Sequence, residues 1–167
     1  MHVVAFHGSG ARPHHLRTDM GDPGWVDEYA EYDRRAPKNY PADLRRHQDL
    51  VLVGYSKGGY EIGKLSLRLD NIRAAVLYES PLLDIDKPGG EFPVLIIWNQ
   101  QSRRINTDEA ISTYGKWESG GRRADYRFGN GGHTSWTRRL RTLFRKHAWD
   151  QTLNPGIESW IKRRVAE

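Results

Sequence analysis

Along this chain, short and wholly apolar runs alternate with longer segments whose apolar residues return at helical spacing. His2–Phe6, Asp49–Val53, Arg73–Tyr78 and Pro93–Trp98 are runs dominated by Val, Leu, Ile, Ala and aromatic residues. Such runs predict strands buried on both faces. Tyr29–Asp33 is a candidate second strand and Ala124–Phe128 a final one. Between them, Gly58 opens a segment with Ile62, Leu65 and Leu69 on one helical face. Thr107–Trp117 is also predicted helical, with Asp108 and Glu109 in the first turn, where the helix dipole favours acids. Residues 11–28 contain Pro13 and Pro23 and predict a loop or short helix, and another short helix is expected near Ala42–His47. Ser135–His147 is amphipathic: Trp136, Leu140, Leu143, Phe144 and His147 share one face and basic residues cover the others. That stripe is expected to pack on the sheet. Pro155 should break the chain before a last helix near Ile157–Arg164. Strands alternating with helices predict an α/β domain spanning 1–167, with a mainly parallel, roughly six-stranded sheet flanked by helices.

Composition narrows the chemistry. A chain of 167 residues can bury about 70% of its unfolded surface and needs no staples. The absence of cysteine excludes disulfides, thiolate metal sites and a cysteine nucleophile. No apolar run approaches the ~20 residues of a membrane span, and no basic region precedes an apolar core at the N-terminus. A soluble, cytoplasmic protein without a membrane span is expected. The net charge of +5 arises largely from arginine doublets such as Arg45-Arg46, Arg122-Arg123 and Arg163-Arg164. Doublets of this kind suit acidic partners, but they are also what solvated helix faces contain, and the second reading is preferred. No metal is expected, since His14-His15 lacks further ligands at useful spacing.

The chemistry concentrates in residues 50–63, where an apolar strand runs into Gly54-x-Ser56-x-Gly58 and then a helix. A chance match to this pattern is expected on the order of 0.1 times per chain of this composition, so the flanking strand and helix must carry the assignment. They stand in the order a nucleophile elbow requires. The turn lifts the serine hydroxyl clear of the sheet at a helix N-terminus, where backbone N–H groups favour developing negative charge. Two further turns follow strands: His7-Gly8-Ser9-Gly10 after the first, and Gly129-Asn130-Gly131-Gly132-His133 after the last. A histidine is suited to take the proton of an attacking serine and return it to the leaving group. Each turn also has a plain reading, as a Gly-rich surface turn.

These three signals, in this order, resemble the α/β-hydrolase superfamily. The family usually carries two strands ahead of the His-Gly turn, so the resemblance implies a trimmed, roughly six-stranded sheet. It implies that Ser56 is the nucleophile, His133 the base, and the backbone N–H groups of Ser9 and Lys57 the oxyanion hole. The acid departs from the common pattern, because Ser102 occupies the position where many members place an aspartate. Glu79, at the end of the strand after the elbow helix, is the preferred replacement; Asp84 and Asp108 are the alternatives. About fourteen residues separate the strands ending at Tyr78 and beginning at Pro93, too few for a helical lid.

The reading is a lidless serine hydrolase that cleaves a carboxylic ester of a small acyl substrate through an acyl-enzyme, without cofactor or metal. Nucleic acid is not the expected partner, and the oligomeric state is open. A thioesterase, amidase or peptidase would use the same residues. A catalytically silent fold binding an acidic partner is the remaining alternative. Tyr55, Trp98 and Trp136 flank the expected site, either as pocket lining or as core.

Overall fold

The apolar runs form strands because both of their faces are covered. In a computed structural model describing residues 1–32, 36–82, 84–100, 107–130 and 149–167, six strands form one sheet. They are β1 (His2–Phe6), β2 (Glu28–Ala30), β3 (Leu50–Tyr55), β4 (Ile72–Tyr78), β5 (Val94–Asn99) and β6 (Ala124–Gly129). The order is β2-β1-β3-β4-β5-β6, and every neighbouring pair is parallel. Helices α1 (Pro13–Met20), α2 (Lys57–Ser66), α3 (Thr107–Glu118) and α4 (Asn154–Ala166) flank it.

Alternate strand residues feed two separate cores. Val4, Phe6, Leu52, Leu77 and Ile96 pack with Ile62 and Leu65 of α2 and Trp117 of α3. Val3, Ala5, Val53, Val76 and Ile97 pack with Leu16 and Met20 of α1 and Ile157, Trp160 and Ile161 of α4. The two-residue period of a strand delivers apolar side chains to both layers, which is why the strand sequences read as continuous apolar runs. Trp117, Trp149 and Trp160 are fully buried and anchor these layers.

Several boundaries differ from expectation. The expected Tyr29–Asp33 strand is the shorter β2, because Glu31 and Tyr32 turn away to bond His7: Tyr32 Oη donates to His7 O (2.7 Å) and Glu31 Oε1 meets His7 Nε2 (3.2 Å). Residues 11–28 contain α1, with Pro13 in its first turn and Gly21 closing it at φ 74°. Pro155 does not break the chain; it lies in the first turn of α4, where its missing N–H costs nothing. Helix α2 ends at Ser66, leaving Leu69 buried in the turn that follows. The segment near 42–47 is a 3-10 helix over Ala42–Arg46. Among the described residues between β4 and β5 there is no helix, and among all described residues no helix is long and apolar enough to cross a membrane. The amphipathic segment Ser135–His147 lies outside the described residues, as do Ser102, His133 and Trp136.

Candidate active site

In a parallel sheet all strands end on the same side, and each expected site residue that is described sits at that carboxyl edge. The chain leaves β1 toward β2 on one side, while β3 pairs with β1 on the other. A crevice at such a reversal is the usual ligand position of an open α/β sheet.

Ser56 lies between β3 and α2 with φ 53° and ψ −119°, a backbone region that a residue with a Cβ seldom occupies. The two glycines around it are required by space. A Cβ on Gly54 would sit 2.5 Å from Gly59 N, and one on Gly58 would sit 2.1 Å from Phe6 O. Helix α2 therefore begins almost in contact with the backbones of β3 and β1. That proximity forces the sharp turn and leaves Ser56 half-buried at its apex.

The register of β3 and β4 aligns Tyr55 with Tyr78, so Ser56 and Glu79 follow side by side, and Ser56 N–H donates to Tyr78 O at 2.9 Å. Glu79 is fully buried and has φ 51°. Among the described residues only Asp22, Ser56 and Glu79 are non-glycines with positive φ. Two of the three are thus neighbours at this edge, and strain of this kind gathers where a site over-determines the backbone. The Glu79 amide donates to Ile97 O (2.8 Å), and its Oε1 accepts from the backbone N–H of Asn99. Asp84 and Asp108, the alternative acids, are exposed. A hydrogen bond from Tyr60 holds the Asp84 carboxyl below its ordinary range.

The turn after β1 rests against the elbow: a Cβ on Gly8 would lie 3.1 Å from the Tyr55 ring and 3.3 Å from Ser56 Cβ. Ala11 N–H closes residues 8–11 onto Gly8 O (3.2 Å), with Gly10 at φ 70°. His7 is buried beneath this turn, its Nδ1 donating to Gly8 O (2.9 Å). Ser9 is exposed on the turn, and Lys57 is the first residue of α2, with its Nζ 6.0 Å from the centre of the Tyr32 ring.

A polar network that the sequence reading missed lies beyond Glu79. Tyr78 Oη donates to Asn99 Oδ1 and accepts from Asp150 N–H, both at 2.8 Å. Asp150 Oδ2 in turn accepts from Asn130 N–H (2.8 Å), and its Oδ1 caps Thr152. Burial pushes the Tyr78 phenol well above its usual range. Partial burial would raise the Asp150 carboxyl, but hydrogen bonds from Thr152 and Asn130 outweigh it and leave it low. The available signal was the polar Asn99 closing an apolar strand, the same signal that singled out Glu79. Tyr55 and Trp98 are core residues rather than lining, each 4% exposed. Among the described residues no group of three or more His, Asp or Glu side chains is placed to hold a metal.

No family model and no curated protein matches the sequence. Solved structures do match. Esterase PE8 superposes with a TM-score of 0.67 at 16% identity, over 97% of this chain and 91% of that one. SOBER1 of Arabidopsis thaliana gives 0.68 at 13%, over 99% of both chains. The type II thioesterase BorB of the borrelidin biosynthetic cluster gives 0.63 at 14%, over 99% of this chain and 91% of its own. With a six-stranded parallel sheet, a strained serine turn between β3 and α2, and these structural likenesses, the chain has the α/β-hydrolase fold.

Proposed function

We propose that the protein is a serine hydrolase that cleaves a carboxylic ester through an acyl-enzyme. The observation that carries this reading is the conformation of Ser56. A non-glycine residue is held at φ 53°, ψ −119° between two sterically obligatory glycines, a strained conformation of the kind that presents a nucleophilic hydroxyl at the start of a helix.

In the proposed reaction Ser56 Oγ attacks the ester carbonyl while His133 takes its proton. The carbonyl π electrons move to oxygen, and the N–H groups of Lys57 and Ser9 stabilise that oxyanion. Collapse breaks the carbon–oxygen bond and His133 protonates the departing alcohol. Water, deprotonated by His133, then adds to the acyl carbon, and collapse breaks the bond to Ser56 Oγ, which takes the proton back from His133 as the acid leaves. Glu79 orients the imidazole and stabilises its charged form. Its support is complete burial at the level of Ser56 on the adjacent strand. The same residues would act on a thioester, the substrate class in BorB's own description; parallel assays with matched oxygen and sulfur esters separate the two.

A fluorophosphonate probe tests the nucleophile. Ser56 should be the labelled serine, and Ser56→Ala should not react. Labelling of Ser56→Ala, or a folded wild type that stays unlabelled, would end this reading.

A further inference from the structure

Beside the backbone hydrogen bonds that join the ends of β4, β5 and β6, a side-chain network runs from Asn99 through the Tyr78 phenol to Asp150 and Asn130. We infer that Tyr78 is a positioning residue, whose hydroxyl ties the strand ends that hold the Glu79 carboxylate to Asn130, three residues before His133 in the chain. This rests on the roles proposed above for Ser56, Glu79 and His133.

The hydroxyl is used in both directions. It donates to Asn99 Oδ1 and accepts from Asp150 N–H, at 2.8 Å each. Phenylalanine could fill the space but do neither. On one side, Asn99 holds Glu79 Oε1 through its own backbone N–H. On the other, Asp150 holds the backbone of Asn130, the residue directly after β6. The ring is fixed independently of its hydroxyl: it stacks on Trp149 at 4.1 Å and 26° and is fully buried. The ionisable groups around it are Glu79, Asp150 and Tyr55, whose ring lies at 6.2 Å. Because burial pushes its acidity down, the phenol keeps its proton and can donate throughout the working pH range.

Gly129 reports how tightly this junction closes. A Cβ there would stand 2.5 Å from Asn99 Oδ1 and 2.7 Å from Tyr78 Oη. The last residue of β6 thus lies directly on the network, one residue before Asn130. Removing the hydroxyl leaves Asn99 Oδ1 and Asp150 N–H to find new partners separately, so Asp150 and the Asn130 backbone that it holds lose their side-chain tie to the ends of β4 and β5.

The test is Tyr78→Phe, compared with wild type by fluorophosphonate labelling and by hydrolysis of a short-chain nitrophenyl ester across pH. The kcat is expected to fall about 10- to 100-fold with KM within about twofold, because geometry at the reacting centre is lost and substrate binding is not. The rising limb of the pH–rate profile should move to lower pH, since an imidazole less well held by a carboxylate gives up its proton more readily. Val76→Ala, on the same strand and in the same core layer, is the destabilised control; its kcat and pH profile should match wild type. Should Tyr78→Phe fail to fold, Asp150→Ala, which frees Asn130 at a partly exposed position, is expected to give the same loss of kcat and the same shift. A folded Tyr78→Phe, or failing that Asp150→Ala, with wild-type kcat and an unmoved profile overturns the inference while leaving the Ser56 reading intact. A folded wild type that neither labels nor hydrolyses overturns both.

Discussion

Two glycine-to-alanine changes in two helices should act with opposite sign. Gly58 is in the first turn of α2 and Gly115 near the end of α3. At Gly58 an added methyl would lie 2.1 Å from Phe6 O, 2.7 Å from Phe6 C and 2.9 Å from Phe6 Cβ. Phe6 is the last residue of β1, paired with Ala30 on one side and Gly54 on the other, so its carbonyl has little room to retreat. Relief requires α2 to move off the sheet by roughly 1 Å, and overpacking against well-fixed atoms costs about 3 kcal/mol or more. Alanine's better helix propensity returns about 0.5–1 kcal/mol, leaving a net loss of about 2–4 kcal/mol. For a domain of this size that lowers Tm by about 4–15 °C. At Gly115 nothing lies within 4 Å of the added methyl. Only the propensity gain remains, so Gly115→Ala should raise stability by about 0.5–1 kcal/mol. Urea denaturation followed by circular dichroism measures both. A Gly58→Ala protein as stable as wild type would refute the close helix–strand contact, and a destabilised Gly115→Ala would refute the open environment on α3.

Two further outcomes follow from charges. Glu79→Gln keeps the shape and an acceptor toward Asn99 but removes the carboxylate, so kcat for ester hydrolysis should fall by roughly 10²–10⁴ with little change in KM. Asp84→Asn and Asp108→Asn, both exposed, should each cost about tenfold or less; if either is crippling while Glu79→Gln stays active, the acid has been misassigned. Asp125 is partly buried, which opposes its charge, yet hydrogen bonds from Trp160 (2.6 Å) and Arg164 (2.8 Å) prevail and depress its carboxyl below 3.8. A depressed folded-state value contributes stability that is present above the unfolded value and is lost as pH falls through the folded one. Asp125→Asn should therefore lower the midpoint of thermal unfolding at neutral pH and narrow its gap to wild type below about pH 4; a gap independent of pH would show that the ion pair is not responsible.

The sheet was legible in the sequence because both of its faces are covered. β1 runs over His2–Phe6 as expected, and β3 to β6 start and stop within about two residues of expectation. The edge strand β2 was less legible, because its end is set by Tyr32 and Glu31 reaching for His7, a tertiary contact without a local sequence signature. Helix α1 was readable from Pro13 and Gly21 at its two ends, but two prolines in the same segment pulled the reading toward a loop. At the site, Gly54-x-Ser56-x-Gly58 announced itself because steric need imposes its glycines. Glu79 stood out as a charge closing an apolar strand. Tyr78 and Asp150 did not, since a tyrosine in an apolar run looks like core, and Asp150 reaches the network only after the chain has folded back onto β4 and β6.

The positive-φ conformations of Ser56 and Glu79 bear on how this protein would respond to engineering. Each such residue costs the fold on the order of 1–3 kcal/mol, against a total stability of about 5–15 kcal/mol for a typical domain. Glycine at either position would recover part of that cost. A library screened only for heat resistance would therefore be drawn toward discarding these two side chains first. Consensus or computational stabilisation would carry the same bias, and the resulting proteins would look improved by every biophysical measure. Holding positions 56 and 79 fixed, or sorting variants by probe reactivity before heating them, removes that pull and leaves sites such as Gly115 to supply the gain.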